Sequence, residues 1–440
     1  MWGRRDLIRA GALGLLLTSA GGLMEACGGG DPKADPKKAT GGIQLVSADI
    51  ARTVADPALV APAATTMDGF AARLYDAVAG QQGNLVISPY SVAVALSMTL
   101  AGARGTTAAQ MSSVLGAGAL GDRWHDGVDA LTSYVDGLAG EVKRADGSKA
   151  TLGITTANAL FGQQGMALMQ GFLEVMARDY GTGVQTVDFA ADPDHVADLI
   201  NGWVADHTDQ RITDLIAHGV LSRDDRLALV NAISLTAPWE MPFDKDSTRP
   251  GPFHLADGST VRAPLMTKSD VGVTRVDGSG WSAARIPYAG GTLAMTVLVP
   301  DADRFDAVEK DLAGGVLARA LGAGRSTSLV LTLPRWTSRT SVSLKAALQA
   351  LGMPRAFTDS ADFGAMAEEP LKIGAALHQG YIAVDEDGTE AAAATAIVMQ
   401  PTSGAARPET FTVDRPFLYA VHDTAHGTPL FVGRVIDPTR

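Results

Sequence analysis

The segment that decides the fold lies near the carboxyl terminus, at residues 384–399, and reads VDEDGTEAAAATAIVM. Its four consecutive alanines, 391–394, favour a helix. However, Gly388 and a threonine on each side of the alanines interrupt a helical pattern, and residues 400–408 (QPTSGAARP) are rich in loop-forming types. The sequence therefore predicts an exposed segment that has no strong preference for any one conformation.

The same segment would also fit inside a β-sheet. Alternate residues of a strand share a face, and one face here would carry only small or apolar side chains: Thr389, Ala391, Ala393, Thr395, Ile397 and Met399. Small side chains let a strand enter between two existing strands, and Gly388 gives the backbone its freedom to turn. Each main-chain hydrogen bond gained would contribute about 0.5–1.5 kcal/mol, so insertion of about a dozen residues would drive a large conformational change.

The rest of the chain mixes helical and strand patterns. In residues 88–103 (SPYSVAVALSMTLAGA), Ser88 is a suitable cap and Pro89 suits the first helical position, while the apolar residues all round predict a buried helix. Residues 292–300 and 328–336 have the composition of buried strands. Since strands do not alternate regularly with helices, the sequence predicts an α+β architecture rather than a doubly wound parallel sheet.

The amino-terminal residues 1–26 have the pattern of an export signal peptide, because arginines precede an apolar run too short to span a bilayer. The residues up to Cys27 resemble a bacterial lipobox, in which the cysteine carries a lipid after cleavage; an ordinary signal with an incidental cysteine is the alternative. Arg4 and Arg5 also resemble a twin-arginine export motif, and the general export route stays open.

We therefore expect an exported protein, extracellular or at the cell surface, that is anchored to a bacterial membrane through a lipid on Cys27. Residues 27–65 are predicted to be the lipidated cysteine and a flexible tether, since Gly, Pro, Lys and Asp dominate the first part of the tether. Residues 66–440 contain no repeat or second linker and are predicted to form one domain.

The composition excludes several classes of function. A formal net charge of −12 argues against a nucleic-acid partner, which would need a basic surface. Cys27 is the only cysteine, so the sequence allows no internal disulfide and no thiolate metal cluster. It has no GxSxG, Walker or HExxH motif, and its eight histidines lack ligand spacing. We therefore expect no enzymatic activity, catalytic residue, metal or cofactor.

Several segments together resemble the serpin family of serine protease inhibitors, in the family's order across residues 67–440. They are EDGTEAAAAT (386–395), NLVISPYSVAVALSMTLAGARGTTAAQM (84–111), INGWVADHTDQRI (200–212), LVNAISLTAPWEMPF (229–243), FTVDRPFLYAV (411–421) and PLFVGRVIDP (429–438). The resemblance implies a monomer with the serpin fold: three β-sheets, about nine helices and an exposed reactive-centre loop.

The resemblance also implies a mechanism and its residues. A target protease attacks a bait bond in the loop and forms an acyl-enzyme; the cleaved loop then inserts into the main sheet and distorts the protease. Residue by residue, the resemblance places the bait bond at Thr402–Ser403. The implied hinge consists of Glu386, Gly388, Thr389, Ala391, Ala392, Ala393 and Ala394. The implied sheet-opening residues are Ser88, Ser91, Asn231, His378 and Trp239.

A non-inhibitory serpin with a carrier or chaperone role is the alternative function. Such relatives tend to carry charged or bulky hinge residues, so Thr389 and the alanines favour inhibition. Thr402, after Met399, Gln400 and Pro401, favours a serine protease that accepts small residues, elastase-like or subtilisin-like, over a trypsin-like one. A cysteine protease stays open as the target.

Overall fold

The structure, a computed structural model, describes residues 42–53, 56–389 and 409–440. Nine α-helices lie in these ranges: α1 (Val60–Val78), α2 (Pro89–Leu100), α3 (Gly105–Leu115), α4 (Trp124–Asp136), α5 (Gln170–Tyr180), α6 (Pro193–Asp206), α7 (Phe305–Lys310), α8 (Leu317–Leu321) and α9 (Lys345–Leu351). Short 3-10 or π turns lie at Pro57–Leu59, Ala117–Ala119, Gly121–Arg123, Lys245–Ser247, Leu312–Val316 and Pro354–Phe357. None of the described helices is both long and apolar enough to cross a membrane.

The described residues also form seventeen strands. They are β1 (Gln44–Val46), β2 (Leu85–Ile87), β3 (Gly140–Lys143), β4 (Lys149–Gln163), β5 (Val184–Val187), β6 (Leu227–Pro238), β7 (Arg249–His254), β8 (Thr260–Gly278), β9 (Trp281–Pro287), β10 (Leu293–Pro300), β11 (Arg325–Pro334), β12 (Trp336–Ser343), β13 (Ala375–Val384), β14 (Gly388–Thr389), β15 (Thr410–Thr412), β16 (Phe417–Asp423) and β17 (Pro429–Val435). Helices and strands do not alternate regularly, which agrees with the predicted α+β class.

The eight-stranded main sheet has the order β1-β5-β4-β6-β14-β13-β12, with β3 paired to β4. The second sheet has nine strands in the order β15-β11-β8-β9-β10-β16-β17-β2, with β7 paired to β8. The resemblance implied three sheets, and hydrogen bonding joins the described strands into two. The reason is the 19-residue β8, which pairs with β7 and β11 along most of its length and with β9 at its end.

The helix predicted at residues 88–103 is present as α2 and packs between the two sheets. The Ser88 side chain caps it by accepting a hydrogen bond of 3.2 Å from the Ser91 N–H. Its residues from Pro89 to Thr99 are all buried, as expected for a helix that is apolar on every side. Neighbours of α2 include β4 and β6 of the main sheet and β17 of the second, so this helix holds the two sheets together.

Two central strands of the main sheet separate along their length. β6 and β13 pair directly, in parallel, from Ala228 opposite Ala375 to Ile233 opposite Gly380. Beyond these residues the two strands part, and β14 lies between them, antiparallel to both. We call this place, from Ile233 and Gly380 to β14, the fork.

Packed structure begins earlier than the sequence predicted. The boundary at residue 65 is too late, because β1 pairs with β5 at the sheet edge and α1 begins at Val60. Ile43 is buried in a core cluster that includes residues of α6. The predicted tether therefore contains a packed part, residues 42–53. A three-residue strand is too short to show a hydrophobic period, and the partners of this segment lie more than 75 positions away in the chain.

Arg52 joins the segment 42–53 to α4 through hydrogen bonds, and removal of the Arg52 side chain should destabilise the domain. Its Nε donates to Asp129 Oδ1 at 2.7 Å and its Nη2 to Thr132 Oγ1 at 2.6 Å, and the Asp129 side chain is only 2% exposed. Arg52→Ala leaves that carboxylate unpaired, so we expect the free energy of unfolding in urea to fall by about 1–3 kcal/mol.

Arg123→Ala is the matched control, because it breaks an arginine–aspartate pair of 2.8 Å, to Asp56, in which both side chains are about half exposed. Its effect should stay below about 1 kcal/mol. A loss in Arg52→Ala no larger than that in Arg123→Ala would contradict a stabilising role of the Arg52–Asp129 pair.

Candidate functional site

The wide end of the fork, where β14 lies between β6 and β13, holds the start of the predicted hinge. We call this end the mouth. Gly388 pairs with Pro238 and Thr389 with Ala237 on β6, and Thr389 pairs with Val384 on β13. Thr389 is completely buried. Two residues of the predicted hinge thus lie as a short strand between β6 and β13.

Gly388 lies at a position that admits no side chain. Its φ is +152°, and a Cβ atom there would lie 2.3 Å from the carbonyl oxygen of Ala237. Such a contact is much shorter than the van der Waals distance. This backbone conformation is also unfavourable for residues other than glycine. The glycine therefore lets the backbone of β14 approach β6.

An aromatic pair forms the floor of the mouth. Trp239 and Tyr288 stack with ring centroids 4.6 Å apart and planes 5° from parallel, and both are fully buried. The Trp239 Nε1–H donates to the carbonyl of Asp385 at 3.0 Å, and Tyr288 OH lies 2.6 Å from Thr389 Oγ1. Both rings therefore contact the hinge through a polar atom.

The three acidic residues before Gly388 each have a fixed partner. Glu386 is buried, and its Oε1 accepts from Thr248 Oγ1 at 2.6 Å and from the Arg335 guanidinium. Burial by itself would raise the pKa of Glu386, but the Thr248 and Arg335 hydrogen bonds outweigh it and hold that pKa below its ordinary value. The carboxylate is therefore kept ionised.

The two aspartates beside Glu386 are also held. Asp385 Oδ1 accepts from the N–H groups of Asp387 and Gly388 at 2.9 and 3.2 Å, although burial raises its pKa. Asp387 pairs with Lys245 at 2.6 Å, and this hydrogen bond raises the pKa of the lysine. The chain is thus anchored up to Gly388.

A second polar cluster lies where β6 and β13 pair directly. His378 Nδ1 is 2.5 Å from Asn231 Oδ1, and His378 Nε2 accepts from the Ser88 N–H at 3.0 Å. Asn231 Nδ2 donates to Ser91 Oγ and to Asn158 Oδ1, each at 2.5 Å. Asn158, Asn231 and His378 lie directly opposite one another on β4, β6 and β13.

The cluster depends on a neutral histidine. Burial lowers the pKa of His378 from its ordinary 6.5 to about 4. The unprotonated Nε2 can therefore accept the Ser88 N–H while Nδ1–H donates to Asn231 Oδ1, which fixes the tautomer. A single side-chain hydrogen bond joins β6 to β13 here.

The structure brings most of the predicted site residues together, in two groups. Ser88, Ser91, Asn231 and His378 form the cluster just described, whereas Trp239 lies apart from them, directly after the end of β6 and eight positions after Asn231. At 3.3 Å per residue this separation is about 26 Å, and Trp239 instead joins the mouth with the hinge residues Glu386, Gly388 and Thr389. The other predicted residues, Ala391, Ala392, Ala393, Ala394, Thr402, Ser403 and Cys27, lie outside the described residues.

Sequence reasoning missed Asn158, Tyr288, Arg335, Thr248 and Lys245. Asn158 gave a usable signal, because an amide between the apolar residues of the TANALF strand requires a buried partner. The other four gave none, since each meets the hinge only through the tertiary fold. No group of three or more potential metal-ligating side chains occurs among the described residues.

Acid should destabilise the protein partly through His378. The histidine titrates near 6.5 when unfolded and near 4 when folded, so the unfolded chain binds more protons between these values. The stability due to neutral His378 is complete above pH 6.5 and is lost as the pH falls toward 4. In urea unfolding at pH 7 and pH 4.5, we expect His378→Asn to reduce the loss at pH 4.5 by about 2 kcal/mol.

His218→Asn serves as the control for this titration. His218 is exposed, and its hydrogen bond to Asp198 raises its pKa, so that variant should not reduce the loss of stability at acid pH. Identical pH dependence in His378→Asn and the parent would contradict a buried, neutral His378.

Comparison with known proteins agrees with this geometry. The family profile described as "Serpin (serine protease inhibitor)" matches residues 65–438. An uncharacterized serpin-like protein of Thermococcus kodakarensis is 33% identical over 379 residues, which is 86% of each chain. Plasminogen activator inhibitor 1 of Sus scrofa is 33% identical over 375 residues, which is 82% of this chain and 88% of the relative.

A solved structure gives the same result for the fold. The crystal structure of Serpin48, a highly specific serpin of the insect Tenebrio molitor, covers 85% of this chain and 98% of its own at 26% identity, with a TM-score of 0.74. This likeness confirms the serpin fold that the resemblance implied. The family is described as one of serine protease inhibitors, not of enzymes, and plasminogen activator inhibitor 1 has an inhibitor name. The chain belongs to the serpin family.

Proposed function

We propose that this protein is a suicide inhibitor of serine-type endopeptidases, which acts by cleavage of its reactive-centre loop and insertion of that loop into the main sheet. The observation that carries the proposal is the position of β14, whose two residues already pair with both β6 and β13. A strand that continued from β14 would enter the line along which these two strands now pair directly.

Insertion along this line increases main-chain hydrogen bonding. One parallel ladder, from Ala228 to Ile233 on β6 and from Ala375 to Gly380 on β13, would be exchanged for two antiparallel ladders. Each additional hydrogen bond contributes about 0.5–1.5 kcal/mol, and antiparallel pairing is slightly more stable per residue. The inserted state is therefore lower in free energy, and the alanines after Thr389 keep the steric barrier small.

The chemistry begins at the bait bond, Thr402–Ser403, which lies outside the described residues. The catalytic serine oxygen of the target attacks the carbonyl carbon of Thr402. The C–N bond to Ser403 breaks, the amine leaves with a proton, and an ester joins Thr402 to the protease. Inhibition requires that insertion is faster than hydrolysis of this ester.

The proposed targets follow from the residue before the cleaved bond. Thr402 suits elastase-like or subtilisin-like serine proteases, whose pockets accept small side chains, better than trypsin-like proteases, which require a cation. In this proposal the inhibitor acts as a monomer and needs no cofactor. Curated relatives with inhibitor names, such as plasminogen activator inhibitor 1, support the proposed activity.

A covalent complex is the expected result with a target protease. When the protein is mixed separately with elastase-like, subtilisin-like and trypsin-like proteases, an elastase-like or subtilisin-like one should give an adduct that survives a denaturing gel, with cleavage after Thr402 by mass spectrometry. Thr389→Arg should abolish the adduct and leave the protein as a plain substrate, because a guanidinium cannot enter the fully buried position between β6 and β13.

Thr337→Arg is the matched control, since it adds the same charge at an exposed threonine on β12 of the same sheet. It should form the adduct as the parent does. Undiminished adduct formation by Thr389→Arg would contradict the mechanism. Clean cleavage of the parent without adduct, across the whole panel, would instead support a non-inhibitory carrier or chaperone role.

We also propose that the protein is exported and held at a bacterial membrane surface by a lipid on Cys27. The lipobox-like sequence at Cys27, which lies outside the described residues, supports this proposal. A radiolabelled lipid precursor fed to the producing cells should label the parent protein but not Cys27→Ala. An unlabelled parent would show that the signal peptide is of the ordinary, non-lipidated type.

A further inference from the structure

We propose that Trp336, Ser338 and Tyr419 together bind one internal water molecule, which links β12 of the main sheet to β16 of the second sheet. The site includes no residue of the hinge or of the cluster around His378, and it does not depend on the proposed inhibitory function. The observations that carry it are three buried polar atoms that lie close together and have no hydrogen-bonding partner among the described residues.

The three side chains are buried between the two sheets. Residues of β12 are alternately buried and exposed from its first residue on, so Trp336, Ser338 and Thr340 point to one face. Trp336 and Tyr419 are each 2% exposed, and Ser338 is 4% exposed. The Trp336 ring packs against the rings of Phe417 and Tyr419 on β16, with centroids 5.2 and 5.6 Å away. This face of β12 is therefore turned toward the second sheet.

Each of the three side chains has a polar atom that the described part of the chain leaves unpaired: Trp336 Nε1, Ser338 Oγ and Tyr419 OH. Thr340, the next inward residue of β12, differs, since its Oγ1 accepts a hydrogen bond of 2.9 Å from the Val86 N–H. Buried polar groups in folded proteins are almost always hydrogen-bonded. Unpaired groups on three neighbouring side chains therefore indicate a shared partner that is not a protein atom.

The three groups are close enough together to share one small partner. Trp336 and Ser338 are alternate residues of β12, so they lie about 6.6 Å apart along the strand, and a water that accepts or donates at the usual distances spans about 6 Å between two groups. The Tyr419 hydroxyl lies near both of them. Burial raises the pKa of Tyr419, whereas Trp336 and Ser338 act on its hydroxyl and lower that pKa.

The Tyr419 hydroxyl is held in place by its surroundings. Tyr419 lies opposite Gly433 of β17, and a Cβ atom on Gly433 would lie 2.4 Å from the Tyr419 oxygen. The hydroxyl therefore occupies the space that a side chain at position 433 would fill. Trp336 and Phe417 also contact the Tyr419 ring, with centroids 5.6 and 6.4 Å away, so the hydroxyl is fixed beside the other two groups.

The chemistry of the three groups suits water better than an ion. The indole N–H can only donate, whereas the two hydroxyls can each donate or accept. A water molecule can accept from Trp336 and from one hydroxyl and donate to the other, which gives it three hydrogen bonds, the usual number for a buried water. A buried anion would need a positive charge beside it, and the titratable group that acts on Tyr419 through its charge is another tyrosine, Tyr288.

A crystal structure at a resolution that shows ordered water tests the site directly. We expect one water within hydrogen-bonding distance of Trp336 Nε1, Ser338 Oγ and Tyr419 OH in the parent, and its loss when Tyr419→Phe is combined with Ser338→Ala. Thr340→Val is the matched control, because it removes a hydroxyl from the same face of β12 that is paired with Val86; the water should stay. Oxygen-17 magnetic relaxation dispersion, which counts slowly exchanging internal waters, should count one fewer in the double variant than in the parent or the control.

The direction of the change in stability distinguishes a bound water from unpaired groups. If a water pairs the three groups, Tyr419→Phe removes one of its hydrogen bonds, and the equilibrium constant for unfolding in urea should rise about fivefold. Ser338→Ala should act in the same direction, and the two changes together should be less than additive because they share one water. A fall in that constant in either single variant, as expected when a buried group without a partner is removed, would overturn the proposal. A parent crystal structure with no water between the three groups would also overturn it.

Discussion

The rest of the structure depends on one discontinuity of main-chain pairing, the separation of β6 from β13 at Ile233 and Gly380. A continuous sheet would leave no line along which a strand could enter, and a fully divided one would leave unpaired N–H and C=O groups in the core. The fork satisfies both demands, because the strands pair directly at one end and through β14 at the other. The described sheet is thereby paired at both ends of the fork, and the insertion that we propose would exchange it for a sheet with more hydrogen bonds.

The described part of the predicted hinge is held in place by side-chain contacts. Before Gly388 the chain is fixed: Glu386 is held by Arg335 and Thr248, and Asp387 by Lys245. Three consecutive acidic residues would otherwise repel one another and resist burial. With this part held, the insertion that we propose would be confined to the chain after Thr389, and it would start from a defined point instead of pulling β13 out of the sheet.

The sequence predicted the helices and strands that follow from short-range patterns, and it missed the contacts that only the tertiary fold creates. The helix capped by Ser88 and the strands at residues 292–300 and 328–336 follow from short-range patterns, and the structure confirms them as α2, β10 and β11. The hinge was recognisable because its composition is unusual. By contrast, β1 has three residues, and the contact between Thr53 and Arg178 spans 125 positions. The Tyr288 side chain contacts Thr389 only because the two sheets pack together, and no periodic pattern in the sequence predicts such a contact.

In the mechanism that we propose, the polar cluster would let the sheet be closed firmly and still open. Asn231 keeps its hydrogen bond to Asn158, which lies on the same side of the dividing line, when β6 moves away from β13. His378 likewise keeps the Ser88 N–H if β13 stays with α2. The direct side-chain bond between Asn231 and His378 is the one that must break, and an unpaired group in this buried site would be unfavourable by about 1–3 kcal/mol.

An apolar contact at this position would lose little free energy when a strand arrived. A pair of buried charges would be much harder to separate. A neutral imidazole and an amide lie between these extremes, so the closed sheet would resist chance opening and yet separate for the inserting strand that we propose.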